Sequence, residues 1–205
     1  MIGGLALWLL GRDEEASAAF ETAMRLDPDL FEARYFYARH CFAEGRLEKA
    51  IGLYEQACAV QPDDYQSPLL MAQSYDDLER PQDAETTRRR GLALAEERLR
   101  LSPDDVRARY LGANALVALG ERQRGLEWAR AARALDPDEP MLLYNLGCIY
   151  AMAGEREEAL DCLERAARAG GIAQKEWYEN DSNLDSLRDE PRFQAMLDML
   201  SSAAE

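Results

Sequence analysis

A single histidine, His40, is all this 205-residue chain holds of the side chain most used for acid–base and metal chemistry near neutral pH. It stands beside Cys41, but neighbours on a helix point about 100° apart, so the two cannot share the hydrogen bond a cysteine nucleophile needs from its base. No His, Cys, Asp and Glu group shows ligand spacing, which gives no metal site. The four cysteines, Cys41, Cys58, Cys148 and Cys162, form no CxxC pair and fall inside apolar helical stripes. Buried reduced thiols in a reducing, cytoplasmic compartment are the expectation. Phosphate loops are missing too, because Gly3-Gly4 and Gly170-Gly171 are isolated pairs without a strand-to-helix setting. These absences leave no catalytic constellation and no cofactor, so the chain reads as a non-enzyme.

Lysine is nearly missing, with only Lys49 and Lys175, and the 24 basic residues face 39 acids for a formal charge of −15. Clustered cations are what hold phosphates, so general nucleic-acid affinity is excluded. The apolar segment Ile2 to Leu10 is too short to span a bilayer and has no basic flank for a signal peptide. No alternating Val/Ile-rich run marks a strand, and Ala, Leu, Glu and Arg dominate a composition that is 47% hydrophobic and 31% charged. The fold class is all-α. Much of the acid, at Asp13-Glu14-Glu15, Asp83, Asp104-Asp105, Asp138-Glu139 and Glu155-Glu157-Glu158, sits at helix starts, where carboxylates complement the helix dipole.

What the chain has in quantity is repetition. Pro28, Pro62, Pro103 and Pro137 follow helix ends at intervals of 34, 41 and 34 residues. Turn positions Gly11, Gly45, Glu79, Gly120 and Gly154 run in the same phase, as do Ala16, Ala50, Ala84, Gly125 and Ala159. The clearest unit is Pro140 to Gly171, where Leu143, Leu146, Gly147 and Tyr150 face Ala159, Leu163 and Ala166 across a turn at Gly154. Small Gly147 and Ala159 let the two helices approach closely. Such a hairpin cannot bury both its apolar faces alone and needs copies on either side.

The period, the paired helices, the small contact residues and the terminal proline resemble the tetratricopeptide repeat family over about five sixths of the chain. The resemblance implies a right-handed superhelical solenoid of antiparallel helix pairs, with five repeats at 1–30, 31–64, 65–105, 106–139 and 140–171, and a capping segment at 172–205. Two departures stand out. Arg88 takes the place of a large apolar residue such as Phe20, Tyr54 or Leu163, and Gly125 replaces the usual alanine; both are expected to loosen local packing. The seven extra residues in the 41-residue interval follow Gly91 and amount to about two helical turns, which predicts one helix lengthened by roughly 10 Å. Such an extension serves either as a ridge for a partner or as a local change of superhelical curvature.

Beyond Gly171, Trp177, Leu184, Leu187, Phe193, Met196, Leu197 and Leu200 predict a short helix, an irregular turn and a last helix from Pro191 that closes the array. This segment also resembles tails that follow such repeats in bacterial multidomain signalling proteins.

In the family the first helix of each repeat lines a concave groove. Carrying those positions across gives Tyr35, Arg39, Gln73, Arg107, Tyr110, Asn114, Tyr144 and Asn145 as candidate peptide-binding residues, with Tyr35, Tyr110 and Tyr144 in phase. Each tyrosine is either an amphipathic contact for a peptide or packing between repeats. Charged groove positions Glu32, Asp76 and Asp77 against Arg39 and Arg107 leave −1, far from the −15 of the whole chain. The implied function is protein–protein interaction through a peptide segment, with neither nucleic-acid binding nor membrane insertion. The alternative is a regulatory or oligomerisation tail of a larger signalling enzyme or transcription regulator. The first helix is short, and its Leu5, Trp8 and Leu9 lack a preceding repeat, which makes that edge the expected contact of a weak homodimer.

Overall fold

The computed structural model describes residues 2–169 and 175–202. The expected repeat boundary at Gly171, and Gly170-Gly171 with it, lies outside the described residues. Among those described there is no strand. The helices are α1 (Ile2–Leu9), α2 (Asp13–Leu26), α3 (Phe31–Ala43), α4 (Leu47–Val60), α5 (Gln66–Asp77), α6 (Pro81–Leu101) and α7 (Val106–Ala118). They continue with α8 (Arg122–Leu135), α9 (Pro140–Met152), α10 (Arg156–Ala169), α11 (Lys175–Asn180), a 3-10 helix (Ser182–Leu187) and α12 (Pro191–Ser202). Two compact units divide the chain, Met1–Leu94 and Ala95–Glu205, with the boundary inside α6.

A left-handed residue ends the first helix of every pair. Gly11, Gly45, Gly120 and Gly154 have φ of 68°, 71°, 83° and 76°, and Glu79 holds the equivalent place at 56°. Around each the hydrogen bonds repeat: Gly45 donates to Phe42 while Arg46 donates to Cys41, and Glu79 donates to Asp76 while Arg80 donates to Tyr75. This is the Schellman arrangement, which satisfies the last carbonyls of a helix and turns the chain back on itself. Helix starts are handled by the acids that sequence position suggests. The carboxylate of Asp105 accepts from the backbone N–H of Ala108 at 2.9 Å, and that of Glu139 accepts from Met141 at 3.0 Å. Asp64 does the same for α5, accepting from Ser67 at 2.7 Å.

The seven-residue insertion is helical, as the spacing predicts. Helix α6 has 21 residues where α2, α4, α8 and α10 each have 14.

In the first unit Phe20, Tyr37 and Tyr54 are fully buried around Ala16, Ala38 and Ala50. Arg88 does not loosen this unit as sequence suggests. It is itself only 5% exposed, its stem occupying the slot of a large apolar residue while its guanidinium pairs with Asp76. An arginine stem buries apolar surface and still delivers its charge to a partner at the rim.

In the second unit the core consists of Leu116, Leu126, Leu142, Leu143, Leu146, Ile149 and Leu160. A Cβ on Gly147 would stand 2.5 Å from Leu163 Cγ and 3.3 Å from the carbonyl oxygen of Ala159, so the close approach read from sequence is present. Gly125 corrects the other expectation. A Cβ there would meet Val117 Cγ2 at 2.6 Å and the Ala113 oxygen at 3.0 Å, so the missing methyl is filled by a neighbour and nothing is left slack.

The C-terminal segment closes on the last pair. Tyr178, Leu184, Leu187 and Phe193 are buried, and α12 packs on α10 and α11. The stretch expected as an irregular turn is the 3-10 helix, started by Asp181, whose carboxylate accepts from the backbone of Asn183 at 2.9 Å. Of the expected stripe on α12, Phe193 and Met196 are buried, whereas Leu197 and Leu200 stay half-buried. Arg192 fastens this helix to α10, with its three guanidinium nitrogens 2.7–2.8 Å from Glu157, Asp161 and Glu164. Its hydrogen bond to Glu164 holds that carboxyl below the usual range, helped by nearby Arg168.

Candidate functional site

The first helices present the candidate residues, and their depth divides them. In the first unit Tyr35 on α3 is buried, its ring edge-on to Phe36 at 5.2 Å and its hydroxyl donating to Gln66 Oε1 at 3.2 Å. Tyr35 therefore joins α3 to α5. Arg39, one turn later, stays half-exposed with its guanidinium 5.9 Å from the Tyr35 ring and 5.7 Å from that of Trp8. Gln73 on α5 is half-exposed as well. Asp76 is drawn off by Arg88, so one of the three acids counted for the groove is neutralised inside the repeat.

In the second unit Tyr110 is buried, while Arg107 and Asn114 on the same helix stay half-exposed. The Asn114 amide donates to Met152 Sδ at 3.4 Å, linking α7 to α9. Tyr144 is buried beneath the C-terminal segment: its ring lies 5.1 Å from Tyr178 and 5.8 Å from Trp177, and its hydroxyl donates to Asp181 Oδ2 at 2.8 Å. The Cys148 thiol donates to the same oxygen at 3.4 Å. Burial, reinforced by the Asp181 charge, pushes the Cys148 thiol well up, and burial likewise raises Cys58 to about 11. Asn145 is half-exposed, with its amide nitrogen donating to Met141 at 2.7 Å along its own helix.

A repeat register emerges from these depths. Tyr35, Leu69, Tyr110 and Tyr144 occupy one position and are all buried; Arg39, Gln73, Asn114 and Cys148 follow four residues later. The first three of the latter group are polar and half-exposed, whereas Cys148 is closed over by Asp181. Next to that closure, an open pocket of about 440 Å³ is lined by Val117 and Ala118 of α7, Ala151 and Met152 of α9, and Ser182, Asn183 and Ser186.

One cluster escaped the reading of sequence spacing. Asp13, His40 and Glu44 bring ligating atoms within 4.8 Å of one another. The four-residue interval from His40 to Glu44 was the available signal, since such residues share a helix face. Asp13 comes from the helix start of the preceding pair, which no local spacing reveals.

Models of the tetratricopeptide repeat match residues 3–65, 69–140 and 140–169. The chain belongs to the tetratricopeptide repeat family, whose members generally act as non-catalytic scaffolds that bind proteins or peptides. Solved structures agree on the fold. A thermophilic tetratricopeptide repeat protein of Thermus thermophilus, TTC0263, is 20% identical with a TM-score of 0.62, covering 97% of this chain and 95% of that one. PilW, a widely conserved type IV pilus biogenesis factor, is 16% identical with a TM-score of 0.58, covering 98% and 95%. MamA from Desulfovibrio magneticus RS-1 is 18% identical at 0.51, covering 80% and 89%. Curated protein sequences give no match. Among the described residues no helix is long and apolar enough to cross a membrane.

Proposed function

We propose that this chain is a non-enzymatic scaffold that holds a peptide segment of a protein partner on the first helices of the repeats within a unit. One observation carries the reading: Arg39, Gln73 and Asn114 are half-exposed polar side chains at the same repeat position, each one turn beyond a buried residue that fixes the helix. Repeated donors and acceptors at that position suit the backbone of an extended or helical peptide. Tyr35, Leu69 and Tyr110 are the buried residues one turn before them, and the contribution of the tyrosines is rigidity more than contact. The pocket beside Met152 and Val117 offers a seat for one apolar side chain at the end of the second unit's track. With Asp76 neutralised by Arg88, ionic holding is small, while the −15 of the chain steers basic partners from a distance. The domain reading is five repeats over 1–171 and a cap over 172–205, and buried free thiols suit a reducing cytoplasm.

Photo-crosslinking side chains at Gln73 and Asn114, compared with exposed second-helix positions Arg89 and Glu127, test this reading. Capture of a peptide from the first pair alone is expected; capture from the second pair alone refutes it.

A homodimer is the second reading, favoured by Leu9 and Leu10, which are 58% and 71% exposed at the end of α1. Trp8 is not part of that patch, because it packs edge-on against His40 at 5.6 Å under Arg39. Light scattering on Leu9→Glu, Leu10→Glu protein decides it: a mass unchanged from a dimeric parent removes this patch.

A further inference from the structure

We propose that Asp13, His40 and Glu44 form a binding site for one divalent transition-metal cation of the zinc class. His40 is fully buried on α3, walled by the rings of Trp8 and Phe20 at 5.6 and 6.1 Å. Its two ring nitrogens have unequal surroundings. Nε2 lies 3.3 Å from the Asp13 carbonyl oxygen and 3.4 Å from Glu44 Oε2, acceptors that keep the ring proton on that side, and 3.2 Å from the Ser17 hydroxyl. Nδ1 is buried without a hydrogen-bond partner, and Asp13 Oδ1 stands 3.7 Å away. A lone pair facing a carboxylate across that gap is an arrangement that a cation relieves. A ring whose second nitrogen donates to a backbone carbonyl is also how metal-bound histidines are held in one tautomer.

The donor set selects the class of ion. One imidazole with two carboxylates suits zinc and its first-row neighbours, whereas magnesium and calcium favour oxygen alone. His40 supplies the fixed base of the site. Asp13 already faces Nδ1, whereas Glu44 stands 3.4 Å from Nε2 and must swing across to reach an ion there; the two side chains are 47% and 33% exposed, so both can move without disturbing the core. A water would complete a four-coordinate site.

Arg46 is the resident competitor. Its guanidinium pairs with Glu44 and donates to Ser17 Oγ at 3.1 Å. In the metal-free protein it neutralises one of the two carboxylates, and uptake of a dication requires it to turn outward. Removing its charge therefore tightens binding. A bound ion would tie the start of α2 to the end of α3 and stabilise the first unit by mass action.

Because His40 is the chain's only histidine, its ring resonances report on the site without ambiguity. The test titrates the full chain with zinc chloride, following those resonances and heat, and with cobalt chloride, following visible absorption. Expected are one equivalent of metal perturbing the His40 ring, affinity lowered about tenfold or more in Asp13→Asn and Glu44→Gln, and tighter binding in Arg46→Gln. Cobalt should show no thiolate charge-transfer band, which separates this site from the four cysteines. His40 resonances that do not respond to metal, or a response of undiminished affinity in both carboxylate variants, overturn the proposal.

Discussion

Glu79 is the one residue of the repeat turns that works against its own backbone. Its φ is 56°, in the left-handed region where a Cβ crowds the following carbonyl and costs about 1–2 kcal/mol. The turn is nonetheless complete, with Glu79 donating to Asp76 and Arg80 donating to Tyr75, both at 2.9 Å. Glu79→Gly should keep these bonds and release the strain. Part of the gain is returned because glycine has more freedom to lose on folding, about 0.4–1 kcal/mol. A net stabilisation of about 0.5–1 kcal/mol is left, or roughly 1–4 °C in melting temperature for a chain of this size. The opposite substitution is the control: Gly45 has φ of 71° with open space around it, so Gly45→Ala tests backbone strain without a clash. By the same accounting it should cost about 0.5–1 kcal/mol net. Thermal and urea unfolding, followed by circular dichroism, measure both variants. A Glu79→Gly protein less stable than the parent, together with a harmless Gly45→Ala, would refute the reasoning.

Three further outcomes follow from packing and charge. Gly147→Ala places a methyl 2.5 Å from Leu163 Cγ and should lower stability by about 1–3 kcal/mol; Gly125→Ala should act in the same direction through Val117, and Val117→Ala should restore part of that loss in urea midpoints. Phe193→Ala empties a fully buried place beneath the cap and should cost about 3–5 kcal/mol, with increased dye binding to exposed core; an unchanged melting curve would mean the cap does not dock. The Glu164 carboxyl is lower in the folded protein than in the unfolded chain, so its stabilisation is present above the unfolded value of about 4.3 and disappears as pH falls through the folded one. Arg192→Ala should flatten this acid-side loss, by a few tenths to about 1 kcal/mol for so exposed a cluster, in unfolding measured from pH 6 down to about 3.

The repeat was legible because its marks are local. A proline after a helix end, a glycine in the turn and small residues at i and i+3 or i+4 each act within a few residues, so position alone reveals them. The 21-residue α6 was legible for the same reason: seven residues keep a helix face nearly in register. Glu79 could be placed by phase, although its composition says nothing of a left-handed turn. What sequence could not supply was how neighbours fill a gap. Gly125 reads as a loss until Val117 is seen against it, and Arg88 reads as a buried charge until Asp76 meets it. The candidate site shows the same limit. Tyr35, Tyr110 and Tyr144 were correctly placed in phase, but their burial depends on Gln66, on packing in the second unit and on Asp181, residues up to 37 positions away. Tyr178, buried completely, has no periodic partner to announce it.

The central claim is that binding resides on the first helices and not on the acidic outer face. A peptide selected from a random library against the full chain, then titrated into the Gln73→Ala and Asn114→Ala proteins at low and high salt, tests it most directly. The account predicts an affinity loss of about five- to thirtyfold in at least one variant, equivalent to about 1–2 kcal/mol, with a weak dependence on salt. Unchanged affinity in both variants, with binding abolished by salt, would place recognition on the acidic surface and contradict it.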